Sequence, residues 1–463
     1  MKYISTRNNL IEFEFEDVFI KGLADDGGLY VPKNVKKFSS KELLKLKDLN
    51  YNQLSIEIIN IFTGNFISKA NLSSLISKSY STFREKEVVK ISNIGDLRLL
   101  ELFHGPTLAF KDIAMQFIGN LYEFYLSKNK KKINIVVATS GDTGAAAIDA
   151  IKGKPNLNIF VLHPNNRISS VQRKLMTTVD EENVFNIAID GNFDDCQKIV
   201  KSMFSDLEFS KSINMSGVNS INWARIIAQT VYYFYAYFEL DTDKLISFSV
   251  PTGNFGDVFA GYLAKKMGLP INKLIVATNE NDILHRAISN GDYNSKKVKE
   301  TLSPSMDIQL ASNFERLIYY INNSDTLKTA EIMKKIKQNS YQIEKNDLDI
   351  IQKDFLSESC NEKETIGIIK KIYEENDVII DPHTAVGVGA ASKLSFNDCV
   401  VLSTAHPCKF PDATDASINK HEKLPEKLQH VLHKEENFKL LKNNTEEVKK
   451  FIKNKVQSSD RLS

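Results

Sequence analysis

Residues 133–153 read INIVVATSGDTGAAAIDAIKG: a short apolar run, a turn of small and hydroxylated residues, then a longer run with helical spacing. A strand-length apolar segment followed by an amphipathic helix is the repeating unit of an α/β protein. The unit recurs downstream as NIFVLHP (158–164) before SSVQRKLMTTV (169–179), and as VFNIAID (184–190) before DDCQKIVKSMF (194–204). It resumes after a long aromatic helix, INWARIIAQTVYYFYAYFEL (221–240), with LISFSVPT (245–252) before DVFAGYLAKKMG (257–268) and KLIVATN (273–279) before ILHRAISNG (283–291). A last apolar run, CVVLSTAH (399–406), returns to the core. The pattern predicts two α/β lobes with parallel sheets.

Around that core the chain divides into three further parts. Residues 1–92 read as a separate N-terminal domain, with a turn at Gly27-Gly28 and short helices in KELLKLKDL (41–49) and QLSIEIINIF (53–62). The two-lobed core covers 93–420 and holds a charged, helical insertion at about 321–376. Residues 421–463 read as a peripheral helical tail.

Bulk properties narrow the function classes. The 463 residues carry 60 Lys+Arg against 58 Asp+Glu, a net charge of +2, which leaves no overall electrostatic footprint for nucleic acid. The basic run KNKKK (128–132) reads as a solvated loop. Cys196, Cys360, Cys399 and Cys408 lie far apart, and neither they nor the eight histidines show metal-ligand spacing. No metal and a reduced, cytoplasmic setting are expected. The N-terminus lacks a secretory apolar region, and no window approaches a membrane span. The expected partner is a small molecule, and the composition does not decide between monomer and homodimer.

In open α/β sheets ligands bind beyond the carboxyl ends of the strands. Three such loops hold unusual residues: 139–144 (TSGDTG), 251–257 (PTGNFGD) and 403–407 (STAHP). Gly253 and Gly256 flank a helix start, where backbone N–H groups and the helix dipole can cradle a phosphate; a plain strand-to-helix turn explains them equally well. Neither a Walker ending nor GxGxxG is present, which disfavours ATP and NAD. In SGDTG, a ligand site competes with simple capping by Asp142 or Thr143. Gly387 and Gly389 fit close helix packing. If the chain is helical from Pro106, Lys111 shares a face with Thr107, Leu108, Ala114, Met115 and Ile118. Such a lysine either snorkels to solvent or stays as a desolvated, reactive amine.

Residues 101–112, ELFHGPTLAFKD, resemble the cofactor-lysine motif of threonine synthases. ATSGDTGAAA (138–147), NSINWARIIAQ (219–229), VPTGNFGDVFAGYLAKKMGLPI (250–271), ATNEND (277–282), SPSMDI (303–308), SNFERL (312–317) and STAHPCKFPD (403–412) are similar to that family in the same order. YISTR (3–7) and GLADDGGLYVP (22–32) resemble its N-terminal unit. The resemblance implies the longer form of the family, a two-lobed, tryptophan-synthase-β-like (fold type II) pyridoxal-phosphate enzyme with an additional N-terminal domain. It implies that Lys111 carries pyridoxal 5'-phosphate as a Schiff base. Gly253, Asn254, Phe255 and Gly256 hold the cofactor phosphate with Asp257 close by, and Thr404 hydrogen-bonds the pyridine nitrogen.

The implied reaction converts O-phospho-L-homoserine and water into L-threonine and phosphate. Its leaving phosphate calls for cations and hydroxyls, for which Ser140, Thr143, Asn219, Ser220 and above all Arg225 are the candidates. Asp142 stands where related folds place Asn beside the cofactor, so a contact with cofactor or substrate is open. His104, His406 and Trp223 read as buried support rather than catalysts. The alternatives are a phospho-lyase of the same fold that releases 2-oxobutanoate, phosphate and ammonia, and a non-catalytic phosphate- or cofactor-binding protein that needs no reactive lysine.

Overall fold

The computed structural model describes residues 1–166, 168–396 and 398–461. In chain order the strands are Tyr3–Ser5 (β1), Asn8–Phe13 (β2), Tyr30–Pro32 (β3), Lys90–Ile94 (β4), Leu97–Glu101 (β5), Ile133–Ala138 (β6), Leu157–Pro164 (β7), Val184–Asp190 (β8), Met215–Ser216 (β9), Ile246–Pro251 (β10), Ile271–Thr278 (β11), Phe355–Ser359 (β12), Cys399–Ser403 (β13) and Lys439–Lys442 (β14). Two compact units hold them: residues 1–104 with 220–421, and residues 105–219 with 422–463.

The first unit has a small antiparallel sheet of order β2-β1-β3 and a larger one of order β12-β11-β10-β13-β5-β4. The larger sheet is parallel except for the β4–β5 hairpin. Every residue of β10 and β13 is buried, the pattern of a sheet covered on both faces. The helix Pro382–Lys393 is closely packed at its glycines, as expected: a Cβ on Gly387 would lie 2.9 Å from Val401 Cγ1 of β13, and one on Gly389 would lie 2.4 Å from Sγ of Cys360, just after β12. From β10 the chain proceeds to β11 and β12 on one side, while β13 lies on the other. The loops after β10 and β13 therefore flank the point where strand order reverses.

The second unit is an all-parallel sheet of order β14-β8-β7-β6-β9. Its strands pass from β6 to β7 and β8, then β9 pairs on the opposite side of β6, so the loop after β6 stands at this sheet's own switch point. Ile187, Ile189, Cys196, Met203 and Leu441 form its core together with Val448, Ile452 and Val456 of the last helix.

Three elements differ from the sequence expectation. The N-terminal region carries a sheet as well as helices, because strands of three residues are too short to show alternation. Within the segment read as a helical insertion, FLSES forms β12, which pairs with β11 from Leu274↔Phe355 to Thr278↔Ser359. The tail contributes a strand, β14, in addition to its helix Thr445–Arg461. No helix among the described residues is long and apolar enough to cross a membrane.

Candidate active site

The stretch 107–110 is a turn, so the condition of a helix from Pro106 is not met. The Asp112 carboxylate accepts the Thr107 N–H at 2.8 Å and the Thr107 hydroxyl at 2.5 Å, and Leu108 adopts a left-handed φ of 64°. These contacts give the backbone an alternative to helical pairing, and the helix begins only at Lys111, running to Asn129. Lys111 is 8% exposed, so it does not snorkel. Its Nζ lies 3.2 Å from Asp142 Oδ2 and 4.8 Å from the centre of the Phe110 ring.

Asp142 is aimed at Lys111 by the loop after β6. Gly141 is the N-cap of the helix Asp142–Ile151, with φ 136°, and a Cβ there would lie 2.8 Å from the Gln172 side chain. Thr139 Oγ1 accepts the Gly141 and Gly144 N–H groups, each at 2.9 Å. Asp142 thus occupies the first helical position, neither its side chain nor that of Thr143 caps the helix, and its other oxygen, Oδ1, accepts from Gln172 Nε2 at 2.9 Å. Gln172 is a site residue that no sequence pattern singled out. Ser140 and Thr143 are half-buried on this loop, and Asn219 is exposed in the same unit.

In the first unit, Gly253 follows β10 and packs so tightly that a Cβ would stand 2.6 Å from the Ser305 carbonyl oxygen. Phe255, φ 64°, is the N-cap of the helix Gly256–Lys266. The opening N–H groups of a helix have no intrahelical acceptor and carry partial positive charge, so this turn is built to receive an anion. Asp257 is buried, and its Oδ1 accepts the hydroxyls of Tyr232 and, at 3.0 Å, Tyr233. Burial, and next the charge of Asp257, raises both phenols well above their ordinary range.

Arg225 lies one turn into the helix Trp223–Glu239 and is 5% exposed. Burial pushes its guanidinium down to about 10, with Tyr232 and Asp257 acting in the opposite direction. Among the described residues the guanidinium has neither an ion pair nor a side-chain hydrogen bond. Ser220, just upstream and half-buried, has its carbonyl fixed by Asn313 Nδ2 at 3.0 Å.

Thr404 follows β13 at 5% exposure and makes no side-chain hydrogen bond among the described residues. Its neighbour Ser403 is 2.9 Å from Thr384 Oγ1, which donates to Asp381. His104 Nε2 is 2.9 Å from Glu101 Oε2. His406 Nδ1 accepts the Cys408 N–H at 3.3 Å, and burial lowers its imidazole to about 4. Both histidines are held as support. Trp223 is fully buried against Tyr3, Phe62 and Phe259, a packing residue.

The second unit holds a shielded amine, and the first holds a helix-opening turn and a buried hydroxyl without a side-chain partner among the described residues, the kinds of group that pyridoxal phosphate calls for. Comparison with known proteins agrees. The family described as "Pyridoxal-phosphate dependent enzyme" matches residues 92–337, "Threonine synthase N terminus" matches 2–80 and "Threonine synthase, C-terminal" matches 384–452. Threonine synthase of Pseudomonas aeruginosa is 43% identical over 98% of both chains. That of Saccharomyces cerevisiae is 46% identical over 90% of this chain and 89% of its own. The crystal structure of PLP-bound threonine synthase from Brucella melitensis superposes with a TM-score of 0.95 at 43% identity, covering 98% of this chain and 99% of that one. The chain belongs to the threonine synthase family of pyridoxal-phosphate-dependent enzymes.

Proposed function

We propose that this chain converts O-phospho-L-homoserine and water into L-threonine and phosphate, with pyridoxal 5'-phosphate carried by Lys111. The observation that carries the reading is the Lys111 amine, withdrawn from solvent and 3.2 Å from a buried carboxylate. Bound to the substrate, the cofactor supplies an electron sink for the charge left at carbon. The protein supplies the rest. Lys111 Nζ takes the proton from Cα and returns it, and Asp142 holds that nitrogen in position. The N–H groups of Gly253, Asn254, Phe255, Gly256 and Asp257 bind the cofactor phosphate without using side chains. Thr404 places a neutral hydroxyl at the ring nitrogen, a weaker stabiliser of positive charge there than a carboxylate.

Arg225 grips the phosphate of the substrate, which departs from Cγ, because a planar guanidinium matches that anion with two hydrogen bonds. Ser140, Thr143, Asn219 and Ser220 supply neutral donors to the same group. Excluding water until the phosphate has left favours addition at Cβ over earlier hydrolysis. The test is incubation with O-phospho-L-homoserine while phosphate and threonine are measured together. One threonine per phosphate is expected; 2-oxobutanoate and ammonia in place of threonine would assign the chain to phosphate elimination instead.

A further inference from the structure

Four consecutive residues, Asn313-Phe314-Glu315-Arg316, connect the first thirty residues of the chain to the anion-binding turn. Asn313 is fully buried, and its main-chain N–H and its Nδ2 both donate to the Asn254 carbonyl, each at 3.1 Å. Nδ2 also donates to the Ser220 carbonyl at 3.0 Å. The peptide between Asn254 and Phe255 is planar and trans, so its C=O and N–H point in opposite directions. Holding that carbonyl against Asn313 therefore turns the Phe255 N–H to the other side, where the turn receives its anion. Gly256 permits the approach: a Cβ there would be 3.2 Å from Asn313 Nδ2.

Asn313 is itself held from the N-terminal sheet. Arg316 is fully buried and bonds the Asn313 side-chain oxygen, the Tyr30 carbonyl at 3.1 Å and the Ile221 carbonyl at 2.7 Å, with its guanidinium over the Trp223 ring at 5.1 Å. Glu315 accepts two bonds from Arg7, at 2.9 and 2.7 Å, and one from the Thr6 hydroxyl at 2.6 Å. Phe314 meets the Phe255 ring edge-on at 5.3 Å. Such a set of buried polar bonds is costly to leave half-made, so its geometry is held as a whole.

We propose that Asn313 is a positioning residue for the anion-binding turn, and that the N-terminal sheet fixes it through Arg7–Glu315 and Tyr30–Arg316. The N-terminal domain is then part of how the phosphate group is recognised, not only an attachment to the core. The proposal rests on the reading of the Gly253 turn as the cofactor-phosphate site, and the test separates the two.

The full-length apoenzyme is titrated with pyridoxal 5'-phosphate and with pyridoxal, which lacks the phosphate, and the affinity ratio is taken. The wild-type protein prefers the phosphorylated form. Asn313→Ala weakens pyridoxal phosphate by about ten- to a hundredfold and leaves pyridoxal within about threefold, since the side-chain bond lost to the Asn254 carbonyl acts on the phosphate turn. The double variant Arg7→Met/Glu315→Gln, which removes the Arg7–Glu315 link without changing net charge, lowers the ratio by about three- to tenfold and decides the matter if Asn313→Ala does not fold. A wild-type ratio in the variants, or an equal loss of both ligands, overturns the positioning role. A wild-type protein that does not distinguish the two compounds overturns the phosphate reading of the turn, and the proposal with it.

Discussion

Lys111 Nζ and Asp142 Oδ2 stand 3.2 Å apart with side chains 10% and 4% exposed. Taking two charges out of water is expensive, and breaking such a pair leaves an uncompensated buried charge. The pair is assembled by two separate devices: the Asp112-pinned turn that starts the lysine's helix, and the Gly141 cap and Gln172 contact that orient the carboxylate. Two turns aimed at one another in this way keep the amine away from the surface.

Asp142→Asn keeps the shape but removes the charge that holds the amine. We expect kcat to fall by about ten- to a hundredfold with a smaller change in KM, the scale of a weakened proton-transfer group. Exchange of the substrate Cα proton with deuterated water should slow in parallel. An unchanged exchange rate would leave Asp142 a purely structural partner.

Arg225→Lys retains a positive charge in a site where burial already disfavours it, and loses the two-pronged geometry. KM for the phosphorylated substrate should rise by about tenfold or more, with kcat less affected. If steady-state kinetics show an intact KM, the guanidinium serves the fold instead.

Gly253→Ala introduces a methyl group 2.6 Å from the Ser305 carbonyl oxygen, a contact the backbone must move to relieve. Overpacking of this kind costs about 1–3 kcal/mol. Thermal unfolding should show the loss, and the affinity for pyridoxal phosphate should drop with it, because the displaced turn is the one that binds the phosphate.

His406 is kept neutral by burial, with its imidazole at about 4 in the folded protein, followed in effect by the charges of Arg84 and His104. The unfolded chain takes up a proton near pH 6.5, so the unfolded state binds more protons throughout the interval between the two values, and stability is lost as pH falls from 6.5 towards 4. This single group should remove about 2 kcal/mol between pH 7 and pH 5. His406→Asn, which keeps an acceptor for the Cys408 N–H, should flatten that part of the denaturation profile; an equally steep acid loss in the variant would place its origin elsewhere.

The alternation of apolar runs and amphipathic helices made the parallel strands legible, since buried strands read as continuous apolar segments. The lysine motif and the Gly253 turn were assigned roles through the family resemblance; as local chemistry, a plain strand-to-helix turn explained the two glycines equally well. Lys111 by itself was ambiguous, because its burial depends on an Asp112–Thr107 turn that helical periodicity cannot anticipate. Gln172 carried no signal, and Asn313 and Arg316 lay in a family-like motif, SNFERL, that did not say what either touches: single polar residues in a loop or on an amphipathic helix look alike whether they face water or hold another loop's carbonyl. β12 was hidden because its five residues include a glutamate and two serines and directly follow a charged helix, and only pairing with β11 makes them a strand.

On the proposed function, one amine, that of Lys111, carries the cofactor. Borohydride reduction of the holoenzyme, followed by proteolysis and peptide mass mapping, tests it directly. The pyridoxyl group is expected on the peptide containing Lys111, and in Lys111→Ala it should disappear together with turnover. A pyridoxyl group on a different lysine of the wild-type protein, or full activity in Lys111→Ala, would contradict it.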